Sequence, residues 1–104
     1  IYPVKTRKSL PKIAARDLNL IRAFDSAVKV RRRLHGLSQK ELAWQAGVDR
    51  TFIARLESCR NQPSLSVVFA IAKALGIKPG ELIDSTHARH LREKIAAQVW
   101  GWRA

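Results

Sequence analysis

Acidic residues are scarce here: 8 Asp and Glu face 20 Lys and Arg, a formal net charge of +12 and a pI near 11.2. So basic a balance calls for a polyanionic partner and is the footprint of a nucleic-acid-binding domain. Cysteine is limited to Cys59, which excludes an internal disulfide and fits a reducing cytoplasm. No apolar run approaches the roughly 18 residues of a spanning helix, and no apolar signal core opens the chain, so no membrane is expected. Methionine is absent and Ile1 comes first, which implies that an initiator residue was processed, trimmed or left out. Glycine-rich phosphate loops, a nucleophile elbow and clustered carboxylates are all missing; no catalytic residue is assigned, and neither an enzyme nor a cofactor is expected. His87 and His90 share a helical stretch and Cys59 could join them, but a fourth ligand is lacking and no metal is expected.

What is present is helical periodicity, in a length that suits one all-α domain with a modest core. The stretch from Leu37 to Cys59, LSQKELAWQAGVDRTFIARLESC, organises the rest. Ser38 followed by Glu41 makes a capping box for one short helix, whose narrow stripe is Leu42, Ala43 and Ala46. Gly47 stands where the chain must leave that helix with positive φ, and Asp49 is placed to cap the next helix. Cap, short helix, glycine turn, cap and second helix form a helix-turn-helix signature. With Arg50 as zero on a 3.6-residue helix, Phe52, Leu56 and Ile53 fall at about 200°, 240° and 300°. Arg50, Ala54, Thr51 and Arg55 fall at about 0°, 40°, 100° and 140°, an outer face with two guanidinium groups.

Before this unit, residues 1–19 read as a basic arm, with Lys5, Arg7 and Lys8 between Pro3 and Pro11 and Lys12 just after them. A first helix runs from Asp17 or Leu20 to His35 on a stripe of Leu20, Ile21, Phe24 and Val28. Arg32 lies four residues after Val28 on that inner stripe, so it needs a carboxylate, for which Glu57 is the candidate. After the third helix comes a polar loop; then Ser64 caps a fourth helix with an apolar face of Leu65, Val68, Phe69, Ile71, Ala72 and Leu75, closed by Gly76. Pro79 starts a short fifth helix with Leu82 and Ile83, ending near Asp84. Residues 85–104 read as a separate helix capped by Thr86, with Leu91, Ile95 and Val99 on a thin stripe and Trp100 and Trp102 beyond it. A helix so poor in apolar area must pack on the body or on a second chain, and those five residues are its dimer or partner surface.

The chain from Leu20 to Asp84 resembles the lambda-repressor-like helix-turn-helix family, the Cro/cI or Xre-type transcriptional regulators. The resemblance rests on GLSQKELAWQAGVDRTFIARLES, then PSL and AIAKALGI. It implies a five-helix domain over residues 20–84, with the basic arm before it and the extra helix after it. The resemblance further implies base reading in the major groove by Arg50, Thr51 and Arg55, with Ala54 beside them. Gln39, Arg60, Asn61 and Ser64, together with Ser38 and Lys40, fall at phosphate-binding positions, and Arg32 with Glu57 matches a buried ion pair. Cys59 departs from the usual glycine, implying left-handed strain of about 1 kcal/mol or a different turn. Trp44 departs from the usual charged residue, and an exposed indole there implies that something covers it.

The function expected is that of a sequence-specific double-stranded DNA-binding regulator, a cytoplasmic repressor reading a palindromic operator as a homodimer. A second reading is an antitoxin that represses its own operon and holds a toxin protein. A third is a protein-bridging scaffold without base readout, against which the two arginines of the outer face argue.

Overall fold

The structure, a computed structural model, describes residues 17–103, with side chains described as far as Trp100. It contains five helices: α1 (Leu18–Leu34), α2 (Gln39–Ala46), α3 (Arg50–Glu57), α4 (Leu65–Ala74) and α5 (Pro79–Arg103). Residues 1–16 of the expected basic arm, and the side chain of Trp102, lie outside the described residues. Residues 18 and 19, counted with the arm from sequence, belong to α1, because Asp17 accepts the Leu20 amide at 3.1 Å and starts the helix there.

The central pair forms for local reasons. Ser38 Oγ accepts the Glu41 amide at 3.0 Å while Glu41 returns the bond to the Ser38 amide at 3.2 Å, so two end donors of α2 are satisfied reciprocally. Gly47, at φ 72°, ends α2, and the Val48 amide reaches back to the Ala43 carbonyl at 2.9 Å. Asp49 occupies the cap position of α3, but its side chain makes no cap hydrogen bond, contrary to expectation. Its backbone carbonyl does accept the Phe52 and Ile53 amides, and the packing of Ile53 and Leu56 carries the rest.

The core joins all five helices through Phe24, Ala27 and Val28 of α1, Leu42 and Ala43 of α2, Ile53 and Leu56 of α3, Val68, Ile71 and Ala72 of α4, Leu75 and Leu82. Three residues expected inside are not. Leu20 is 44% exposed, and the α1 stripe runs instead through Ile21, Phe24 and Val28. Leu65 opens α4 beyond the reach of its neighbours, and Phe69, 54% exposed, sits about a quarter-turn off the arc of Val68, Ile71 and Leu75.

The end of the chain differs from the sequence reading. The expected fifth helix and the expected terminal helix are one, α5, unbroken from Pro79 to Arg103. No glycine or proline interrupts it near Ser85, and Thr86 does not cap: its hydroxyl donates to the Leu82 carbonyl one turn earlier, at 2.8 Å, in a buried position. The first part of α5 packs on α1, where Arg31 Nη2 donates to Ser85 Oγ at 3.4 Å. From Leu91 to Trp100 every residue is exposed.

Candidate nucleic-acid interface

The geometry of α3 follows from which of its sides is apolar. Ile53 and Leu56 are completely buried and Phe52 is half-buried, which turns Arg50, Thr51 and Arg55 outward into solvent, with Ala54 half-buried between them. Neither Arg50 nor Arg55 has an ion-pair partner among the described residues, so both guanidinium groups keep their donors free.

The inner end of α3 is held by a buried fork. Arg32 Nε donates to Glu57 Oε2 at 2.7 Å and Nη2 donates to Oε1 at 2.9 Å, while Nη1 donates to the Leu37 carbonyl at 2.8 Å. That arrangement ties α1, the α1–α2 turn and α3 together with bidentate, charge-assisted bonds. Gln39 joins it, donating from Nε2 to Glu57 Oε1 at 3.0 Å. The amide expected to meet phosphate is therefore turned, in the isolated chain, onto the ion pair. Burial alone would push the Glu57 carboxyl up, but the hydrogen bonds from Arg32 and Gln39 and the charges of Arg32 and Lys29 outweigh it and hold the carboxyl below its ordinary value.

A second buried acid was missed from sequence. Asp25 lies next to Phe24 on α1 and is 6% exposed; one oxygen accepts the Cys59 thiol at 3.0 Å, and the other has only the Lys29 ammonium at 3.9 Å. Burial raises the Asp25 carboxyl, opposed by the thiol bond and Lys29, and the Glu57 charge adds to the rise. The Cys59 thiol is pushed up to about 11, by burial first and then by Asp25, and so remains a proton donor. Cys59 has φ 62°, the one non-glycine residue with positive φ among those described, so the left-handed turn is kept without glycine. The signal available in the sequence was an aspartate flanked by inward-facing Phe24 and Ala27.

The remaining expected phosphate positions cluster at the start of α2 and the α3–α4 loop. Ser38, Lys40, Arg60 and Ser64 are exposed and Asn61 is half-buried. Ser64 also caps α4, accepting the Val67 amide at 3.3 Å. On α5, Leu91, Ile95, Val99 and Trp100 are exposed, and so is Trp44 on α2, at 83%.

A helix-turn-helix family model matches residues 28–82, which spans α2, α3 and α4 and their connections. An uncharacterized HTH-type transcriptional regulator of Methanocaldococcus jannaschii is 43% identical over 51 residues, covering 49% of this chain and 77% of its own length. The control protein C.BamHI of Bacillus amyloliquefaciens is 32% identical over 66 residues, covering 64% of this chain and 82% of its own. Among solved structures, the restriction-modification controller protein C.AhdI of Aeromonas hydrophila superposes with a TM-score of 0.58 at 34% identity, covering 60% of this chain and 94% of that one. The matched segment takes in the helix pair α2 and α3 with its glycine turn and more than half of the chain, and the chain belongs to the lambda-repressor-like helix-turn-helix family of transcriptional regulators.

Proposed function

We propose that this protein is a sequence-specific regulator that enters the major groove of double-stranded DNA with α3 and represses transcription from an inverted-repeat operator. The observation that carries the reading is the outward arc of Arg50, Thr51 and Arg55, exposed and without carboxylate partners, opposite the buried Ile53 and Leu56. A guanidinium presented in this way matches O6 and N7 of guanine in a bidentate pair, worth about 1 to 3 kcal/mol against a wrong base. Thr51 offers a methyl group to thymine. Ser38, Lys40, Arg60, Asn61 and Ser64 hold the backbone and set the register of the reading helix. Gln39 joins them by exchanging its bond to Glu57 for a phosphate oxygen, a swap that leaves the carboxylate still paired with Arg32.

One helix reads too few base pairs to find a site in a genome, so a two-fold dimer spanning half-sites about one helical turn apart completes the reading. The exposed stripe of Leu91, Ile95, Val99 and Trp100 supports α5 as the seam. Selection of bound sites from random duplex, followed by sequencing, tests the whole reading: the expected product is a palindrome with G·C pairs in each half, and an unenriched pool overturns it. Sedimentation at tens of micromolar, about the level where a modest seam is filled, tests the dimer. The same stripe also suits the antitoxin reading, which a second protein co-purifying in fixed ratio and lost on Ile95→Asp would favour.

A further inference from the structure

Trp44 and Phe69 are large aromatic side chains left 83% and 54% exposed on α2 and α4, and two clefts of the surface link them. One cleft, of about 640 Å³, runs from Trp44 past Gln45, Ala46 and Gly47 to Ala70, Lys73 and Ala74. The other, of about 770 Å³, runs from Phe69, Ala70 and Lys73 to Ile77, Lys78 and Pro79. Ala70 and Lys73 line both, so the two clefts adjoin on the outer face of α4 and make one grooved surface, lined by small and aliphatic side chains with an aromatic residue on each flank. None of its residues belongs to α3 or to the α3–α4 loop.

We propose that this groove docks a segment of a partner protein that carries carboxylates and at least one aliphatic or aromatic residue, and that it does so while DNA is bound. Charge selects the occupant. Lys73, in the middle of the groove, and Lys78, at its end, have no ion pair among the described residues. The one acid lining the two clefts, Glu81, accepts the Lys78 backbone amide at 3.5 Å and makes no ion pair with either ammonium. A second copy of a chain with net charge +12 is a poor match for such a groove, and a phosphate backbone would leave its apolar floor uncovered. An acidic peptide with an apolar anchor satisfies both features, the anchor filling the space beside the indole and a carboxylate meeting Lys73.

The test is selection of displayed random peptides against the full chain, followed by fluorescence polarisation of the recovered peptides on the wild type, Trp44→Ala, Lys73→Glu and the chain loaded with duplex DNA. Both substitutions are at exposed positions, and circular dichroism checks that each variant is folded. The expected result is a pool rich in Asp or Glu around an aliphatic or aromatic residue. Those peptides bind each variant at least about tenfold more weakly, a loss equivalent to about 1.4 kcal/mol, and bind the DNA-loaded chain as tightly as the free one. An unenriched pool, a basic or purely apolar pool, or equal affinity for Trp44→Ala overturns the proposal. A change in the sedimentation of Trp44→Ala alone would assign the groove to a second copy and overturn it equally.

Discussion

Arg32 and Arg55 carry the same guanidinium, and the fold treats them in opposite ways. Arg32 is 9% exposed and fills its donors with Glu57 and the Leu37 carbonyl, whereas Arg55, on the same helix as Glu57, stands in solvent with no carboxylate. Two residues along α3 therefore separate a side chain that fastens the helix from one that is free to bind. The difference shows that the count of basic residues says little by itself; what a guanidinium can do is decided by whether its partner is already inside the chain.

Removal of the inner arginine should have the largest effect. Arg32→Ala strips Glu57 of its strongest partner and leaves a buried carboxylate, which costs about 3 to 5 kcal/mol. Thermal or urea unfolding should show that loss directly, and DNA binding should fall only as far as the folded fraction does. A variant that keeps its stability would mean that Gln39 and water can hold Glu57, and the contrast between inner and outer arginines would lose its basis.

The outer arginines should behave in the reverse manner. Arg50→Ala and Arg55→Ala should leave the unfolding midpoint within experimental error and weaken binding to the selected operator by about 1 to 3 kcal/mol each, with relaxed preference at one base pair. Band shifts on operator and on random duplex separate the outcomes: an equal loss on both would reduce these residues to general electrostatic contacts.

The two buried acids extend the comparison from arginine to carboxylate. Glu57 is held below its ordinary range, so its contribution is present at neutral pH and is lost as pH falls through the folded value. Asp25 is raised, so the charged form is the strained one, and stability tied to its proton is present in acid and lost as pH rises through the raised value. Unfolding followed against pH should therefore give opposite signatures. Glu57→Gln should destabilise most at neutral pH and progressively less toward acid, whereas Asp25→Asn should stabilise at neutral pH and lose its advantage in acid. Parallel curves for the two variants would contradict this account of Asp25.

How much of this could be read in advance depended on whether the cause was local. The capping box of Ser38 and Glu41, the turn at Gly47 and the opposite arcs of α3 are set by residues within a few positions of each other, and the chain states them plainly. The need of Arg32 for an acid was visible from its place below Val28. Asp25 had only the weak signal of its inward-facing neighbours, because its partner, the Cys59 thiol, is distant along the chain and meets it from the end of α3. The unbroken course of α5 was misjudged because Ser85 and Thr86 look like a helix start, while the Thr86 hydroxyl is in fact satisfied by the preceding turn. The outward turn of Leu20 and Leu65, at the starts of α1 and α4, reflects where neighbouring helices stop, whereas that of Phe69 follows from its angular distance from Val68, Ile71 and Leu75 and was open to a stricter reading of the period.

The smallest effect belongs to the residues that hold without reading. Lys40 is exposed at the start of α2 and has no ion pair among the described residues, so as a phosphate contact it should contribute through the release of counterions from DNA. Lys40→Ala should then weaken operator and random duplex together and reduce the slope of log affinity against log salt by about 1. Arg55→Ala should change the ratio between the two duplexes, and Lys40→Ala should not. If Lys40→Ala altered the ratio instead, base recognition would reach from α3 onto α2, and the division between the helix that grips and the face that reads would have to be redrawn.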